Sequence, residues 1–125
     1  MLISLITPAY NSARTISDTL LSVNGQTYRE VEHIIVDGLS TDGTLEVVER
    51  VDEGKGALCP VCRKVVCGKD EGLYDAMNKG IRMAAGEVVG ILNSDDFFTA
   101  PDVLEKVAEA FEEDETLEAV YGDIH

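Results

Sequence analysis

The sequence Val88-Val89-Gly90-Ile91-Leu92-Asn93-Ser94-Asp95-Asp96 joins an apolar segment directly to two adjacent carboxylates. The segment from Val88 to Leu92 is predicted to be a buried strand. Open α/β sheets bind ligands at the carboxyl ends of their strands, which is where Asp95 and Asp96 would lie. Adjacent carboxylates repel each other, and Mg²⁺ and Mn²⁺ prefer oxygen ligands, so the pair predicts a divalent-cation site. Alternatively, the pair is a solvated turn in which Asp96 helps to start a helix.

The rest of the chain alternates between strand-like and helix-like apolar spacing. Further strands are predicted at 3–7, where Pro8 would end the strand, and at 31–36, 65–67 and 117–121. Helices are predicted from Ile16 to Asn24, after Thr44, from Leu73 to Gly86 and from Pro101, with 52–64 as a loop. The third helix is expected to bury Leu73, Met77, Ile81 and Ala84. This alternation with short links predicts the α/β class, with a mostly parallel sheet between helices.

The composition excludes several classes of function. Ten basic and 24 acidic residues among 125 give a formal net charge of -14, which repels nucleic acids and anionic lipids. No run approaches the roughly 20 apolar residues of a membrane span. Met1-Leu2-Ile3-Ser4 lacks the basic start of a signal peptide. We therefore expect a single cytoplasmic domain with no transmembrane segment and no nucleic-acid partner.

Three cysteines lie close together in the sequence, at Cys59, Cys62 and Cys67. The two-residue spacing in Cys59-Pro60-Val61-Cys62 is compatible with a zinc site or a redox pair. A structural zinc site needs four ligands, and only the distant His33 and His125 could supplement the cysteines. Reduced thiols in a loop are the favoured interpretation.

Other polar residues follow the predicted strands and would reach the same edge of the sheet. Tyr10 follows the first strand and could stack on a base, or could be a half-buried packing residue. Asp37 follows the second strand and could accept a hydrogen bond from a base edge, or could cap the following turn. On the third predicted helix, Lys79 is expected to face water. Collected at one edge, Tyr10, Asp37 and the two acids suit a nucleotide ligand.

Several common catalytic and nucleotide-binding motifs are missing from the sequence. It contains no Gly-x-x-x-x-Gly-Lys-Ser/Thr and no Gly-x-Gly-x-x-Gly after the first strand, which disfavours P-loop ATPases and dehydrogenases. It also has no Gly-x-Ser-x-Gly and only two histidines, which disfavours acyl transfer by a hydrolytic triad.

Four linked motifs resemble those of family 2 glycosyltransferases in order and spacing, and the bacterial subgroup that builds O-antigen and capsule repeat units is the most similar. The resemblance continues through Val120-Tyr121-Gly122-Asp123 and so covers nearly the whole chain. The four motifs are Thr7-Pro8-Ala9-Tyr10-Asn11, Val36-Asp37-Gly38-Leu39-Ser40-Thr41-Asp42-Gly43-Thr44, the segment from Asp70 to Gly80, and Leu92-Asn93-Ser94-Asp95-Asp96.

The resemblance implies a GT-A fold, a nucleotide-sugar donor that is a UDP-sugar, and a divalent cation, Mn²⁺ or Mg²⁺. It implies inversion at the anomeric carbon by a hexosyltransferase-type enzyme. By position, Asp37 would recognise uracil, Asp95 would contact ribose or sugar, and Asp96 would ligate the metal. The remaining carried-over positions are Pro8 and Tyr10 beside the base and ribose, and Asp70 and Gly72 near the donor.

The chain departs from the family in its length. The family continues for about as many residues again, with the acceptor site and the catalytic base, so the base is expected beyond His125 and no catalytic residue is assigned. Residues 1–125 are accordingly expected to be the donor-binding part, inactive alone, with an open sheet edge that favours a homodimer. The acceptor would be a polysaccharide or lipid-linked saccharide at the inner face of the membrane. Gly68, where relatives often have an acid, and the cysteine loop leave the sugar unassigned.

Two other functions are compatible with parts of the pattern. A non-catalytic module that binds nucleotide sugars would need only the donor residues. A metal-dependent phosphatase or receiver-like domain would use Asp95 as phosphoryl acceptor, but Tyr10-Asn11 stands where such a domain needs carboxylates.

Overall fold

The computed structural model of the chain describes residues 1–54, 61–69 and 73–113, with only the backbone of Leu73 and Tyr74. In these residues four strands alternate with four helices, and the parallel sheet has the strand order β3-β2-β1-β4. The α/β class is confirmed. Cys59, Asp70, Gly72 and the predicted strand at 117–121 lie outside the described residues. The elements are β1 (Ile3–Ala9), α1 (Ile16–Asn24), β2 (Val31–Asp37), α2 (Thr44–Gly54), β3 (Cys62–Cys67), α3 (Leu73–Met83), β4 (Val88–Ile91) and α4 (Val103–Glu113).

The central strand β1 is buried along its whole length and pairs with strands on both sides. The prediction that Pro8 ends this strand is wrong, since β1 continues to Ala9. The carbonyl of Ile6 accepts from Leu92 on the β4 side, whereas that of Ala9 accepts from Gly38 on the β2 side. Pro8 shares the orientation of Ile6, and the β4 ladder ends at the Ile6–Ile91 pair. Proline has no backbone N–H, and at position 8 this group would point to the β4 side, beyond the last paired residue of β4. The proline therefore costs the sheet no hydrogen bond.

The two faces of the sheet are covered by different helices. Alternate residues of β1 pack against α1, α2 and α4 on one face, and Ile6 packs against α3 on the other. The predicted apolar stripe of α1 is confirmed, because Ile16, Leu20 and Val23 are all buried. Residues on both faces of each central strand are thus removed from water, as expected for a parallel sheet.

Helix α3 contacts the sheet through small residues. Ala76 and Gly80 are buried and Ala84 packs against the same cluster as Ile6. A Cβ atom on Gly80 would lie 2.4 Å from Ile6 Cγ2, so the helix can approach β1 this closely only with glycine there. The predicted burial of Ile81 is wrong, since this side chain is 50% exposed, and the helix ends at Met83 rather than Gly86.

Strand β3 begins at Cys62, three residues before the predicted start. The predicted loop at 52–64 included Arg63 and Lys64, but both lie in β3 and have partners on the neighbouring strand β2. Cys62 and Cys67 are free and exposed at the two ends of this strand, so Cys62 does not lie in the loop predicted at 52–64, whereas Cys67 lies in the strand predicted at 65–67.

A chain of buried polar side chains crosses the face covered by α1 and α2. His33 Nε2 lies 2.7 Å from Thr7 Oγ1, and Arg63 Nε donates to His33 Nδ1 over 3.3 Å. The Arg63 guanidinium also donates to Asn24 at the end of α1 and to Asp52 near the end of α2. Burial, reinforced by the Arg63 charge, lowers the pKa of His33 to about 3. The ring is therefore neutral and acts as the acceptor for Arg63.

On the opposite face, Glu32 joins three elements at the amino end of the sheet. Its carboxylate accepts from Ser4 Oγ at 2.6 Å, from Lys64 Nζ at 2.5 Å and from the Ala85 N–H at 3.0 Å. Burial raises the pKa of Glu32, but these three donors outweigh it and lower the pKa to about 2. The charged carboxylate thus fixes the chain after α3 to the sheet.

Among the described residues, no helix is both long and apolar enough to cross a membrane.

The neutral His33 predicts a loss of stability in weak acid. The unfolded chain takes up a proton near pH 6.5 and the folded chain only near pH 3, so the free energy of unfolding should fall by about 1.4 kcal/mol per pH unit between these values. Urea titrations at pH 7, 6 and 5 would measure this slope. His33→Gln should make the free energy of unfolding depend less on pH. An equal slope in both proteins would contradict the assignment of a neutral, buried His33.

The Glu32 network predicts a second loss of stability at lower pH. Because its folded pKa lies below 4.5, its contribution is complete above pH 4.5 and disappears as the pH falls toward 2. Glu32→Gln should lower the free energy of unfolding at pH 7 by about 2 kcal/mol, measured by urea titration. As a matched control, Glu30→Gln removes only an exposed pairing with the N-terminus and should change it by less than about 1 kcal/mol.

Candidate functional site

The parallel register brings the carboxyl ends of the four strands to one edge of the sheet. Ala9 pairs with Asp37, and Asp37 pairs with Cys67, so β1, β2 and β3 end level with one another. Strand β4 ends at Ile91, which pairs with Ile6 and not with the last residue of β1. The Leu92 N–H extends this contact by donating to the Ile6 carbonyl. The residues that follow these strands form a continuous rim, which is where ligands bind in sheets of this kind.

The segments after β1 and β2 are hydrogen-bonded to each other. Asn11, which has a positive φ of 49°, accepts from the Thr41 N–H through its side-chain oxygen at 2.8 Å. The Asn11 N–H donates to Ser40 Oγ at 2.8 Å, and the Ser12 N–H donates to Thr44 Oγ1 at 2.9 Å. The Asn11 side chain thus links the two segments, as a short amide that tolerates this conformation can.

Asp37 is 1% exposed and both of its carboxylate oxygens bind Ser40. Oδ2 accepts from the Ser40 N–H at 2.9 Å, and Oδ1 accepts from Ser40 Oγ at 2.6 Å. The structure therefore shows the turn-capping role that the sequence left open for this residue. A carboxylate has about four acceptor positions, so these two bonds leave capacity for a ligand donor.

Tyr10 is 64% exposed at the rim, so the alternative that it is a half-buried packing residue is wrong. Leu39 lies exposed after β2 with a positive φ of 65°. Pro8 is buried within β1. Tyr10 and Pro8 are both expected beside a base, but only Tyr10 exposes its ring at the rim.

Residues 93–96 form a turn, here called the acidic turn, that presents Asp95 and Asp96. The Asp96 N–H donates to the Asn93 carbonyl at 3.1 Å, and Ser94 Oγ lies 2.6 Å from Ser12 Oγ. Asp95 is exposed and Asp96 is half-buried. Helix α4 begins only at Val103, so the alternative that Asp96 starts a helix is wrong.

The two carboxylates of the acidic turn differ from the other rim acids in their partners among the described residues. Within the described part of the chain, neither Asp95 nor Asp96 forms a side-chain hydrogen bond or an ion pair. By contrast, Asp42 is held by the Thr44 hydroxyl and by the Ala13 and Thr44 N–H groups, which lower its pKa despite some desolvation. The acidic turn is thus the part of the rim where negative charge is left for a ligand to neutralise.

This donor set fits a divalent cation. Mg²⁺ and similar ions are commonly held by one or two carboxylates together with substrate phosphates, so the protein need not supply a complete cage. No group of three or more His, Cys, Asp or Glu side chains arranged for a metal occurs among residues 1–54, 61–69 and 73–113. Asp95 and Asp96 are accordingly the candidate ligands within those ranges.

The third predicted segment of the site is described only in part. Asp70 and Gly72 lie outside the described residues, and Asn78 is exposed on α3. Lys79, which is expected to face water, is 27% exposed at its side chain, and its ammonium group donates to the Lys69 carbonyl at 2.9 Å and lies 3.7 Å from Asp75. Lys79 therefore holds the residues that follow β3 against α3.

Sequence analysis missed the polar residues that support the acidic turn. Thr15 and Thr19 of the α1 region both donate to the Ser94 carbonyl, at 2.9 and 3.1 Å, and Thr19 also donates to the Asp96 carbonyl. Their spacing of four residues on a helix was a usable signal, because it places two hydroxyls on one side of α1 away from its apolar stripe.

Comparison with known proteins places this arrangement in a family. The sequence profile described as Glycosyl transferase family 2 matches residues 4–122. The PGL/p-HBAD biosynthesis glycosyltransferase of Mycobacterium bovis (strain BCG / Pasteur 1173P2) is 36% identical over 121 residues, which is 97% of this chain and 46% of that protein. The chain therefore spans about half the length of this relative.

Two solved structures have a similar fold. S. aureus TarS in complex with UDP has a TM-score of 0.79 and 31% identity, over 90% of this chain and 32% of that one. The mannosyltransferase PcManGT from Pyrobaculum calidifontis, in complex with GDP-Man and Mn²⁺, has a TM-score of 0.78 and 31% identity, over 87% and 32%. With a family match over residues 4–122 and this GT-A-like sheet, the chain belongs to glycosyl transferase family 2.

Proposed function

We propose that this chain is the donor-binding part of an inverting, hexosyltransferase-type glycosyltransferase that uses a UDP-sugar. The observation that carries the proposal is the common rim, on which the exposed Tyr10 ring, the Asp37 turn and the acidic turn lie at neighbouring strand ends. A nucleotide diphosphate has an aromatic base at one end and a doubly charged diphosphate at the other. The rim supplies an aromatic surface and a potential cation site for these two ends.

The nucleotide base would lie at the β1–β2 side of the rim. Tyr10 would stack on it, and Asp37 would accept from its imide N–H in addition to holding Ser40. The binding of UDP by TarS, which is similar over most of this chain, supports uracil as the base. Carried over from the family, Pro8 would support the base from within β1, and Asp70 and Gly72 would approach the sugar.

Asp95 and Asp96 would hold the diphosphate end of the donor through Mn²⁺ or Mg²⁺. Asp96 would ligate the cation and Asp95 would contact ribose or sugar. When bound, such a cation acts as a Lewis acid that stabilises the charge developing on the leaving diphosphate. PcManGT, a similar structure, was solved with Mn²⁺ and a nucleotide sugar, which supports a cation at the corresponding rim. Without a cation, the net charge of -14 would oppose binding of an anionic donor.

The acceptor and the catalytic base belong to the part of the proposal that rests on the family alone. We propose a polysaccharide or lipid-linked saccharide acceptor, as in O-antigen or capsule synthesis, reached from the cytoplasm at the inner face of the membrane. Inversion requires a base within hydrogen-bond reach of the acceptor hydroxyl. We expect that base in sequence beyond His125, since this chain spans 46% of its mycobacterial relative.

The cation site predicts metal-dependent binding of UDP. Calorimetric titration with UDP should show affinity that rises when Mn²⁺ is added, and Asp96→Asn should reduce that Mn²⁺-dependent gain by about ten-fold or more, because a ligand has been removed. Glu109→Gln, which removes one exposed charge on α4, should leave it unchanged. Equal titrations for Asp96→Asn and the unmodified chain would refute the assignment of the metal to Asp96.

The base site predicts an aromatic contribution that does not depend on the metal. Tyr10→Ala should weaken UDP binding by about 1–3 kcal/mol with or without Mn²⁺, and Tyr10→Phe should retain most of the affinity, because the ring face is kept. Leu39→Ala truncates another exposed apolar side chain at the rim and serves as the matched control. A loss for Leu39→Ala as large as that for Tyr10→Ala would contradict stacking on the tyrosine ring.

A further inference from the structure

Helix α1 and the residues that flank it carry a polar stripe on the side turned toward residues 94–104. The stripe consists of Thr15 before the helix, Thr19 and Ser22 within it, and Gln26 after it, and the spacing of the first three by four and three residues places them on one side of the helix. Each of them bonds to the backbone of that later segment, and Thr19 and Gln26 are buried although they are polar. The stripe is therefore a second contact surface of α1, in addition to its apolar stripe.

The far end of the stripe positions the start of α4. Ser22 Oγ accepts from the Phe98 N–H at 3.1 Å. Gln26 Nε2 donates to the Ala100 carbonyl at 2.8 Å, and Gln26 Oε1 accepts from the Leu104 N–H at 3.0 Å in the first turn of α4. These contacts satisfy backbone groups that would otherwise be left without partners between β4 and α4.

The near end of the stripe acts on the acidic turn. The Thr19 hydroxyl is completely buried and shares its proton between the carbonyl oxygens of Ser94 and Asp96, the residues on either side of Asp95. Thr15 Oγ1 donates a second bond to the Ser94 carbonyl at 2.9 Å. The backbone of the acidic turn is thus held from α1, while the two carboxylates themselves remain without partners in the described part of the chain.

We propose that Thr19 is a positioning residue for the cation site, acting through the backbone of Ser94 and Asp96. This inference rests on the proposed function of the acidic turn. Asp96 as a cation ligand and Asp95 as a sugar contact need fixed positions, and the mutual repulsion of two adjacent carboxylates works against such positions unless the backbone is held. Thr19 supplies that constraint without using any carboxylate oxygen, so the oxygens stay available as ligands.

The test compares Thr19→Val, which keeps the shape and removes the hydroxyl, with Thr19→Ser, which keeps the hydroxyl. Free Mn²⁺ measured by electron paramagnetic resonance in the presence of UDP gives the metal affinity. Thr19→Val should lower it about ten-fold, as is typical for supporting residues of metal sites, and Thr19→Ser should restore it. Thr15 is exposed and donates to the same Ser94 carbonyl, so Thr15→Val should cause a smaller loss of Mn²⁺ affinity. This variant replaces Thr19→Val in the test if Thr19→Val folds poorly.

A second measurement needs no ligand. Amide hydrogen exchange of residues 93–98 should become faster in Thr19→Val than in the unmodified chain. Ser4→Ala removes another buried hydroxyl, at the opposite edge of the sheet, and should lower thermal stability without changing either the exchange of 93–98 or the Mn²⁺ affinity. This control separates a general loss of stability from a local effect on the acidic turn.

The outcomes separate this inference from the proposed function. The positioning role is overturned if Thr19→Val binds Mn²⁺ as tightly as the unmodified chain does. It is also overturned if Ser4→Ala lowers the Mn²⁺ affinity as much as Thr19→Val does. If the unmodified chain shows no metal-dependent binding of UDP, the proposed donor site fails. The exchange data then decide whether Thr19 positions the turn, with unchanged exchange in Thr19→Val overturning that role as well.

Discussion

The complete burial of β1 between two parallel neighbours is the constraint on which the remaining structure depends. A strand with partners on both sides and helices over both faces has no exposed backbone, so its register with β2 and β4 is fixed by apolar residues on each face. That register brings Ala9 level with Asp37 and places the acidic turn just beyond Ile91. The positions of Tyr10, Asp37 and the acidic turn therefore follow from the packing of an apolar strand.

Two charged networks secure the sheet away from the rim. On one face Glu32 joins β1, β3 and the residues after α3, and on the other Arg63 joins His33 to the ends of α1 and α2. Buried charges are unfavourable unless every polar atom has a partner, and in the described residues no buried side-chain polar atom lacks one. The amino end of the sheet is thus rigid and internally satisfied. The rim differs, because the side chains of Tyr10, Asp95 and Asp96 have no such partners in the part of the chain that the structure describes.

Apolar periodicity was sufficient to predict the α/β class, the first two strands and the stripe of α1, because burial imposes a regular spacing. It was insufficient where a polar or small residue is buried. The loop predicted from its glycines, Pro60 and the cysteine spacing was extended too far and included the start of β3. The face of α3 that contacts the sheet is centred on Gly80, which apolar spacing does not detect, so burial was wrongly expected for Ile81. In the site, sequence reasoning placed Tyr10, Asp37 and the acids on one rim. It could not choose between capping and ligand roles for Asp37, because a short aspartate suits both.

The arrangement of hydrogen bonds at the rim distinguishes a structural acid from one that is available to a ligand. Asp37 and Asp42 both use their oxygens to hold turns, and the chain compensates their charge with hydroxyl and N–H donors. At the acidic turn the donors of the α1 region are directed at carbonyl oxygens instead, so the backbone is held while the two carboxylates have no partner among the described side chains. Such an arrangement leaves the oxygens of Asp95 and Asp96 available to the cation that we propose. The placement of hydroxyls on the backbone, rather than the presence of the acids alone, is therefore the structural argument for a cation site in this member of the family.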